Sequence, residues 1–187
     1  DGGRDYLERM QNAAGRMQTL INDLLTFSRV TTKAQPFVET ELAEVTAGVV
    51  SDLEARVERS GGRVEVGEMT SIEADPLQMR QLLQNLIGNA LKFHKEGEPP
   101  LVKVWCERAE SGGGELCRLH VSDNGIGFEE KYLDRIFTVF QRLHGRQTYE
   151  GTGVGLAVCR RIAARHGGSI TARREPGRGS TFVGTPA

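Results

Sequence analysis

Apolar residues in the first part of the chain recur at alternating intervals of three and four positions. The series is Leu7, Met10, Ala14, Met17, Ile21 and Leu24. Such intervals place the side chains in one narrow stripe of a helix, as in a coiled coil or an antiparallel helix bundle. The pattern predicts a helix over residues 6–30 that needs a partner. Spacing alone leaves packing within one protein and pairing between molecules open.

The remaining apolar patterns alternate between helical and extended periods. Gln35-Pro36 ends the first helix, and Asp75-Pro76 begins a long one, because an aspartate cap followed by proline is typical of a helix N-terminus. The predicted helices span 42–57, 76–93, 129–140 and 155–166, and the predicted strands span 63–66, 71–73, 101–108, 115–122, 169–174 and 180–183. The fold class is α/β (α+β), with mostly antiparallel strands and helices on one face.

Composition narrows the class of protein. With 187 residues, 38% hydrophobic and 26% charged, the chain is typical of one globular domain with an appendage. No apolar run approaches the roughly 18 residues of a membrane span, so we expect no membrane insertion. A formal net charge of −1 gives no general attraction to nucleic acid. Cys106, Cys117 and Cys159 lack metal-ligand spacing, which predicts reduced thiols in a cytoplasmic protein.

The first candidate chemistry lies on the long helix after Asp75. Asn85, Asn89 and Lys92 are spaced four and three residues apart, so they share one stripe of the helix. Asparagine carbonyls are suitable hard-oxygen ligands for Mg²⁺, and a lysine ammonium can meet phosphate. The alternative is a merely solvated helix face, which such a stripe forms more often.

A second candidate is Asp123, in the stretch Asp123-Asn124-Gly125-Ile126-Gly127 at the end of the second hairpin strand. Asp123 lies two and four residues after Val121 and Leu119, so its side chain is on the same, helix-covered face of that strand. A buried carboxylate is costly unless it is hydrogen-bonded, and the exocyclic amine of adenine would satisfy it. The alternative is a tight turn, which Asn-Gly favours.

A third candidate is the glycine-rich stretch that begins the helix over 155–166. It consists of Gly151, Thr152, Gly153, Val154, Gly155 and Leu156. Alternating glycines let backbone N–H groups approach a triphosphate, and a helix N-terminus favours negative charge. The spacing matches neither the dinucleotide fingerprint nor the Walker A loop, so this motif alone is weak evidence.

Five motifs occur in one order along the chain, and together they are specific. They are QLLQNLIGNALKFH, DNGIGF, IFTVFQRLH, GTGVGL and GRGSTF. The series closely resembles the N, G1, F, G2 and G3 boxes of the ATP-binding catalytic domain of sensor histidine kinases, in the gyrase, Hsp90, histidine kinase and MutL superfamily. The stretches IFTVFQRLH and GTGVGLAVCRRIAARHGG resemble the phytochrome and PAS-linked kinases in particular.

The resemblance implies a domain division and a fold. RMQTLINDLLTFSRV resembles the second helix of the dimerisation and histidine-phosphotransfer domain. Residues 1–34 would be that helix, with the phosphoacceptor helix absent, and residues 35–187 would be the catalytic domain. The implied architecture is a two-layer sandwich of a mixed, mostly antiparallel sheet with helices on one face, the Bergerat ATP-binding fold.

The resemblance also implies roles for residues around the adenine and the metal. Asp123 would bind the adenine amine, and Thr181 would lie near that carboxylate. Asn89 would ligate Mg²⁺, and Asn85 would assist at the metal or polarise the transfer. The remaining residues that would contact base, ribose or phosphate are Lys92, Phe93 and His94.

The glycines and aromatics of the other boxes would form a pocket and a lid. Gly125 and Gly127 would shape the adenine pocket. Residues 128–150 would be a lid over the phosphates, with Phe137 and Phe140 anchoring it by burial. The stretch that hinges this lid and contacts the phosphates would be Gly151, Thr152, Gly153, Val154, Gly155 and Leu156.

The implied reaction is transfer of the γ-phosphate of Mg-ATP to a histidine, followed by relay to an aspartate on a response-regulator receiver domain. The partners would be the protein's own phosphotransfer domain and that receiver, within a homodimer. His94, His120, His144 and His166 all lie outside a motif resembling HExRxP, so the acceptor histidine is not in this chain. Asn85 stands where the related ATPases carry a glutamate general base, so hydrolysis should be weak. The alternatives are a superfamily ATPase acting as a conformational clamp and a signalling scaffold without nucleotide.

Three further residues have structural interpretations. By the alternation of side chains along the hairpin strands, Trp105 and His120 lie on the sheet face away from the helices. We expect Trp105 to be partly buried under the N-terminal linker and His120 to face solvent. His166 precedes Gly167-Gly168 and is expected to sit favourably at a helix C-terminus.

Overall fold

A computed structural model describes residues 2–111, 114–128, 130–140, 151–175 and 179–185. The helices are α1 (Gly2–Thr32), α2 (Leu42–Asp52), α3 (Glu54–Ser60), α4 (Pro76–Lys92), α5 (Leu133–Ile136) and α6 (Gly155–Arg165), with a 3-10 turn at Glu130–Tyr132. The strands are β1 (Val38–Glu41), β2 (Arg63–Val66), β3 (Ser71–Ala74), β4 (Leu101–Ser111), β5 (Gly114–Asp123), β6 (Ser169–Glu175) and β7 (Gly179–Thr185).

The main sheet has five strands in the order β2-β4-β5-β7-β6. Only β2 and β4 pair in parallel; the β4–β5, β5–β7 and β6–β7 pairs are antiparallel. The mixed, mostly antiparallel sheet predicted from the sequence is therefore confirmed. Within the described residues no helix is long and apolar enough to cross a membrane.

The core lies between this sheet and a layer formed by α2, α4 and α6. Because side chains alternate along a strand, one face of the β4–β5 hairpin supplies the sheet side of the core. The fully buried residues on the two sides include Val102, Val104, Leu119, Val121, Leu83, Ile87, Cys159 and Ile162. Helices cover one face, as the sequence predicts.

Three local details differ from the sequence predictions. Of the helix expected over 129–140, the structure shows a 3-10 turn at Glu130–Tyr132 and the four-residue helix α5 (Leu133–Ile136). The helix expected over 42–57 is broken at Leu53, which separates α2 from α3. Strand β1 was not predicted, and it pairs antiparallel with β3 in a separate two-stranded sheet. The sequence of β1, Val38-Glu39-Thr40-Glu41, has a single strongly apolar residue, and its partner strand lies far away in sequence.

Asp75 joins the first helix to the domain. Its side chain accepts hydrogen bonds from the N–H groups of Leu77 and Gln78 at 3.1 and 3.2 Å, which confirms it as the cap of α4. Its other carboxylate oxygen accepts from the Gln35 N–H at 2.8 Å and from Arg165 at 3.0 Å. Since Gln35 follows α1 and Arg165 ends α6, one buried carboxylate connects three parts of the chain.

His166 completes this connection as a neutral side chain. It is 3% exposed, accepts from the Asp75 N–H through Nε2 at 3.1 Å, and donates from Nδ1 to the Ile162 carbonyl at 2.8 Å. Burial lowers the pKa of His166, and the hydrogen bond to Ile162 opposes this only in part. The expected charge–dipole interaction is thus replaced by a buried neutral ring at the C-terminus of α6.

We expect the free energy of unfolding to fall as the pH is lowered from about 7 towards 5.5. Below the ordinary histidine pKa of about 6.5 the unfolded chain binds a proton that folded His166 resists, and the slope for one such group approaches 1.4 kcal/mol per pH unit. Denaturant titrations at a series of pH values measure this slope. The free energy of unfolding of the variant His166→Gln should depend less steeply on pH over this range. An unchanged slope in His166→Gln would contradict the assignment.

The outer face of the hairpin carries a stacked pair. The rings of Trp105 and His120 lie 4.8 Å apart and 4° from parallel, and His120 Nε2 lies 3.1 Å from Glu107. The side chain of His120 is only 13% exposed. The predicted solvent-facing His120 is therefore wrong, because the neighbouring indole covers the imidazole.

Candidate functional site

The polar stripe of α4 lies at the margin of the core. Asn85, Asn89 and Lys92 are each half-buried, whereas Gln84 is exposed. On the opposite side of the stripe, Leu86 and other apolar residues are fully packed. The two amides and the ammonium thus lie between the buried and the exposed faces of α4.

Asn85 contacts the beginning of α6. Its Nδ2 donates to the Gly155 carbonyl at 3.3 Å, and Gly155 packs against the Asn85 side chain. Cys159, one turn further along α6, is fully buried, and this burial raises the pKa of its thiol to about 12. The Asn85 amide therefore links the polar stripe to the end of the glycine-rich stretch.

Lys92 lies against the other end of the glycine-rich stretch. A Cβ atom added to Gly151 would be 2.6 Å from Lys92 Nζ, and the same ammonium lies 4.8 Å from the centre of the Phe93 ring. We call residues 151–154 the glycine loop. A cation held beside an irregular loop that precedes a helix N-terminus favours an anionic ligand there.

Val154 fastens this loop to the core. Its side chain is fully buried, and its carbonyl accepts the first hydrogen bond of α6, from Val158 at 3.0 Å. Gly153 has a φ of +75°, a left-handed conformation that favours glycine. Leu156 also packs on the core. Of the predicted phosphate-contacting residues, Val154 and Leu156 thus serve as anchors of the loop.

Asp123 lies at the end of β5, opposite Val102. It is half-buried, and Oδ1 accepts from the Gly125 N–H at 2.7 Å. A Cβ added to Gly125 would lie 2.2 Å from the Phe93 carbonyl oxygen, and Ile126 donates to that oxygen at 2.9 Å. The carboxylate is therefore held directly beside the C-terminus of α4.

Asn124 has a structural role that the sequence did not reveal. Its Oδ1 accepts from the Leu101 N–H at 2.8 Å, and its Nδ2 donates to Glu98 and to the Pro99 carbonyl at 3.2 and 3.1 Å. The chain does not fold back into a hairpin at Asn124-Gly125. Asn124 instead attaches the loop before β4 to the end of β5. The Gly125 N–H bonded to the Asp123 side chain forms a local turn, and the adenine-binding role of Asp123 stays a prediction.

Of the two phenylalanines predicted to anchor the lid segment by burial, one is buried. Phe137 is 8% exposed beside the buried Ile136. Phe140 is 52% exposed, so its predicted anchoring by burial is wrong. Its backbone has a φ of +65° and its N–H donates to the Gly153 carbonyl at 3.0 Å, which ties the segment to the glycine loop by the main chain. Residues 129 and 141–150, including His144, lie outside the described residues.

The remaining predicted residues border the same region. His94 is half-buried and its Nδ1 is 2.9 Å from the Leu91 carbonyl, so it caps the last turn of α4. Gly127 has a φ of +63° in the turn after Asp123. Thr181 pairs with Ser122 in the β5–β7 ladder, and its side chain lies outside the described part of the structure.

The two charged groups of the site lie at the same end of one helix. Asp123 and the ammonium of Lys92 both lie at the C-terminal end of α4, the first beside Phe93 and the second beside Gly151. The glycine-rich stretch runs from there to Asn85, one turn before Asn89 on the same helix. In the described residues no group of His, Cys, Asp or Glu side chains could hold a metal alone. The arrangement suits a ligand that carries both a hydrogen-bond donor and negative charge.

Comparisons with known proteins give a family and several relatives. A family described as histidine kinase-, DNA gyrase B-, and HSP90-like ATPase matches residues 74–186. Phytochrome-like protein Cph1 of Synechocystis sp. is 40% identical over 97% of this chain and 24% of its own length. Sensor histidine kinase AruS of Pseudomonas aeruginosa is 34% identical over 96% of this chain and 18% of its own length.

Solved structures share the fold. Full-length ShkA in complex with AMPPNP superposes with a TM-score of 0.76 and 27% identity, covering 100% of this chain and 39% of ShkA. The catalytic domain of histidine kinase ThkA has a TM-score of 0.66 and 26% identity, covering 81% of this chain and 95% of that domain. The chain spans about a quarter or less of the length of the curated relatives it matches.

Proposed function

The chain belongs to the family of histidine kinase-, DNA gyrase B- and HSP90-like ATPases, and on that premise we propose that it is the catalytic core of a sensor histidine kinase. It would bind Mg-ATP and transfer the γ-phosphate to a histidine of a phosphotransfer helix, for relay to a response-regulator aspartate. The observation that carries the proposal is the contact of one helix, α4, with both Asp123's turn and the glycine loop.

Asp123 would select the base. Its Oδ1 is oriented by the Gly125 N–H, and the close packing of Gly125 on Phe93 fixes the carboxylate against α4. A half-buried carboxylate gains most from a ligand that donates a hydrogen bond. The exocyclic amine of adenine is such a donor, and Phe93 would flank the base or ribose.

Asn85, Asn89 and Lys92 would position the phosphates. The donor set fits Mg²⁺, because an asparagine carbonyl is a hard-oxygen ligand and the remaining coordination sites would be filled by phosphate and water. Mg²⁺, when bound, neutralises charge on the β- and γ-oxygens. Asn89 would ligate the ion, Lys92 would contact phosphate, and the N–H groups of the glycine loop would face the same anion.

The side chain at Asn85 favours transfer over hydrolysis. Its Nδ2 donates to the Gly155 carbonyl, and a carboxamide cannot take a proton from water as a general base does. The ATP-clamp alternative would require such a base. A phosphoryl group positioned here would therefore await an external nucleophile, such as a histidine Nε2 that attacks in line.

The acceptor histidine would come from outside this chain. His94 caps α4, His120 is stacked under Trp105, and His166 is buried with both ring nitrogens engaged. The predicted partners are the protein's own phosphotransfer domain and a receiver domain, with no role for nucleic acid. We place this part of the protein in the cytoplasm, within a full-length protein that is either soluble or tethered to the membrane.

Helix α1 would provide the dimer contact. We assign residues 1–34 to the second helix of the phosphotransfer domain and residues 35–187 to the catalytic domain. Large apolar side chains of α1 are 41–70% exposed, namely Tyr6, Leu7, Met10, Met17, Ile21, Leu24 and Leu25. Helices with such a stripe assemble into bundles, so a homodimer of the full-length protein would cover it.

We expect Asp123→Asn to weaken Mg-ATP binding at least tenfold, because a charge-assisted hydrogen bond contributes about 1.5–3 kcal/mol. Calorimetric titration should give saturable heat without continuing turnover in the unaltered protein. Inosine triphosphate lacks the exocyclic amine, so the unaltered protein should bind it more weakly than ATP. In Asp123→Asn the affinities for ATP and for inosine triphosphate should lie closer together.

Asp52→Asn is the matched control, because Asp52 forms only an exposed pair with Arg80. It should bind Mg-ATP like the unaltered protein. Sustained turnover in the titration would support the clamp ATPase instead. Absence of any heat at several temperatures would support a scaffold without nucleotide.

A further inference from the structure

Helix α1 is fastened to α6 along a face distinct from its exposed apolar stripe. Arg161 donates to Thr31 Oγ1 at 3.0 Å, and its guanidinium lies 4.5 Å from the centre of the Phe27 ring. Val30 is 2% exposed. The Gln78 amide donates to the Val30 carbonyl at 2.7 Å. The end of α1 is thus part of the folded domain.

The same face of α1 reaches the glycine loop. The hydroxyl of Thr152 donates to a carboxylate oxygen of Asp23. Asp23 precedes Phe27 and Thr31 on α1, just as Thr152 precedes Arg161, so the contacts occur in the same order along both segments. The two helices therefore run side by side in the same direction, and the carboxylate of Asp23 is held at the start of α6.

The contact between Asp23 and Thr152 places a carboxylate beside the glycine loop, where Lys92 favours an anionic ligand. Thr152 lies between Gly151, which contacts the Lys92 ammonium, and Gly153, whose carbonyl holds Phe140. A threonine has one O–H donor, so Thr152 cannot donate to Asp23 and to a phosphate at the same time. The carboxylate also repels phosphate oxygens at short range, most strongly where water is partly excluded.

We propose that Asp23 is a positioning residue that holds Thr152 away from the phosphates, so that the attachment of α1 sets the affinity of the site for polyphosphate. The proposal rests on the proposed function, since it takes the glycine loop as the phosphate-binding element. By thermodynamic reciprocity, a nucleotide that displaces Asp23 loosens α1 from α6 by the same factor.

The test compares three ligands on four proteins by calorimetry: Mg-ATP, Mg-ADP and adenosine on the unaltered chain, Asp23→Asn, Asp23→Ala and Asp5→Asn. Asn removes the charge and keeps a hydrogen-bond acceptor, whereas Ala removes both. Asp5 is the matched control because it lies on the same helix in an exposed pair with Arg9. Circular dichroism verifies that each variant is folded.

The Asp23 variants should bind Mg-ATP about five- to tenfold more tightly, Mg-ADP by a smaller factor, and adenosine without change. Asp5→Asn should match the unaltered chain for all three. Equal affinities for Mg-ATP in Asp23→Asn, Asp23→Ala and the unaltered chain would overturn the proposal. An equal gain for adenosine would also overturn it, because that result indicates general loosening of the domain.

Hydrogen exchange supplies a second readout. Saturating Mg-ATP should accelerate exchange of the α1 amides around residues 23–31 in the unaltered chain and less so in Asp23→Asn, where the contact is already weakened. Unchanged exchange on binding would contradict the proposal. If all four proteins, including the unaltered chain, fail to bind Mg-ATP, the proposed function itself is wrong. If they bind Mg-ATP with equal affinities, the proposed function stands and only the role of Asp23 is wrong.

Discussion

Asp75→Ala should lower the free energy of unfolding by about 3–5 kcal/mol, the range for removing one partner of a buried ion pair. Asp75 is 1% exposed and accepts four hydrogen bonds, from Leu77, Gln78, Gln35 and Arg165. Alanine removes the cap of α4 and leaves the Arg165 guanidinium, which is 20% exposed, without its carboxylate. Urea denaturation followed by circular dichroism measures the change.

Asp52→Ala provides the comparison for Asp75→Ala. Asp52 also pairs with an arginine, Arg80, but their side chains are 40% and 44% exposed. Exposed pairs contribute about 0–1 kcal/mol, so this variant should be nearly neutral. The loss in free energy of unfolding for Asp75→Asn should lie between those of Asp75→Ala and Asp52→Ala, because the amide oxygen can still accept hydrogen bonds from the first N–H groups of α4. Equal losses in Asp75→Ala and Asp52→Ala would contradict the structural role assigned to Asp75.

Gly125→Ala should reduce Mg-ATP affinity on the order of 100-fold, an effect of the size that follows from displacing a site by about 1 Å. The added methyl would lie 2.2 Å from the Phe93 carbonyl oxygen and 2.7 Å from Asp123 Oδ1. To relieve this contact, either the end of α4 or the Asp123 carboxylate must move. We also expect overpacking to cost about 1–3 kcal/mol of stability.

Calorimetry and urea denaturation measure the two effects of Gly125→Ala. Gly15→Ala is the matched control, since a Cβ at Gly15 meets nothing within 4 Å on α1. It should leave binding unchanged and stabilise the helix slightly. If the Gly125→Ala protein is folded and binds Mg-ATP normally, the close packing of Asp123 against the end of α4 is not required for nucleotide binding, and the prediction is wrong.

Elements with strong local signals were predictable from the sequence. The cap at Asp75, the apolar stripe of α4 and the alternation along β4 and β5 each lie within one segment, so their structure follows from neighbouring residues. The motif series likewise identified α4, the turn at Asp123 and the glycine loop, which the structure brings together. The ligand roles assigned to these residues stay predictions.

The features that escaped prediction depend on contacts between distant segments. Strand β1 is defined by its pairing with β3, and Asn124 acts on the loop before β4. The family resemblance implies that Phe140 anchors the lid by burial, but its backbone is left-handed and its side chain is exposed. The carboxylate of Asp23 approaches Thr152 across more than half of the chain, and no spacing rule relates two such positions.

The connection between α1 and the rest of the chain is mechanically stiff. Gln35 has its N–H bonded to Asp75 and its carbonyl bonded to Arg165 at 2.7 Å. Phe37 stacks on His166 at 4.5 Å and under the Arg165 guanidinium at 4.6 Å. A linker whose backbone is bonded on both sides cannot act as a free swivel. A rotation of α1 relative to the domain would therefore have to break these bonds or move the adjoining ends of α4 and α6 with it.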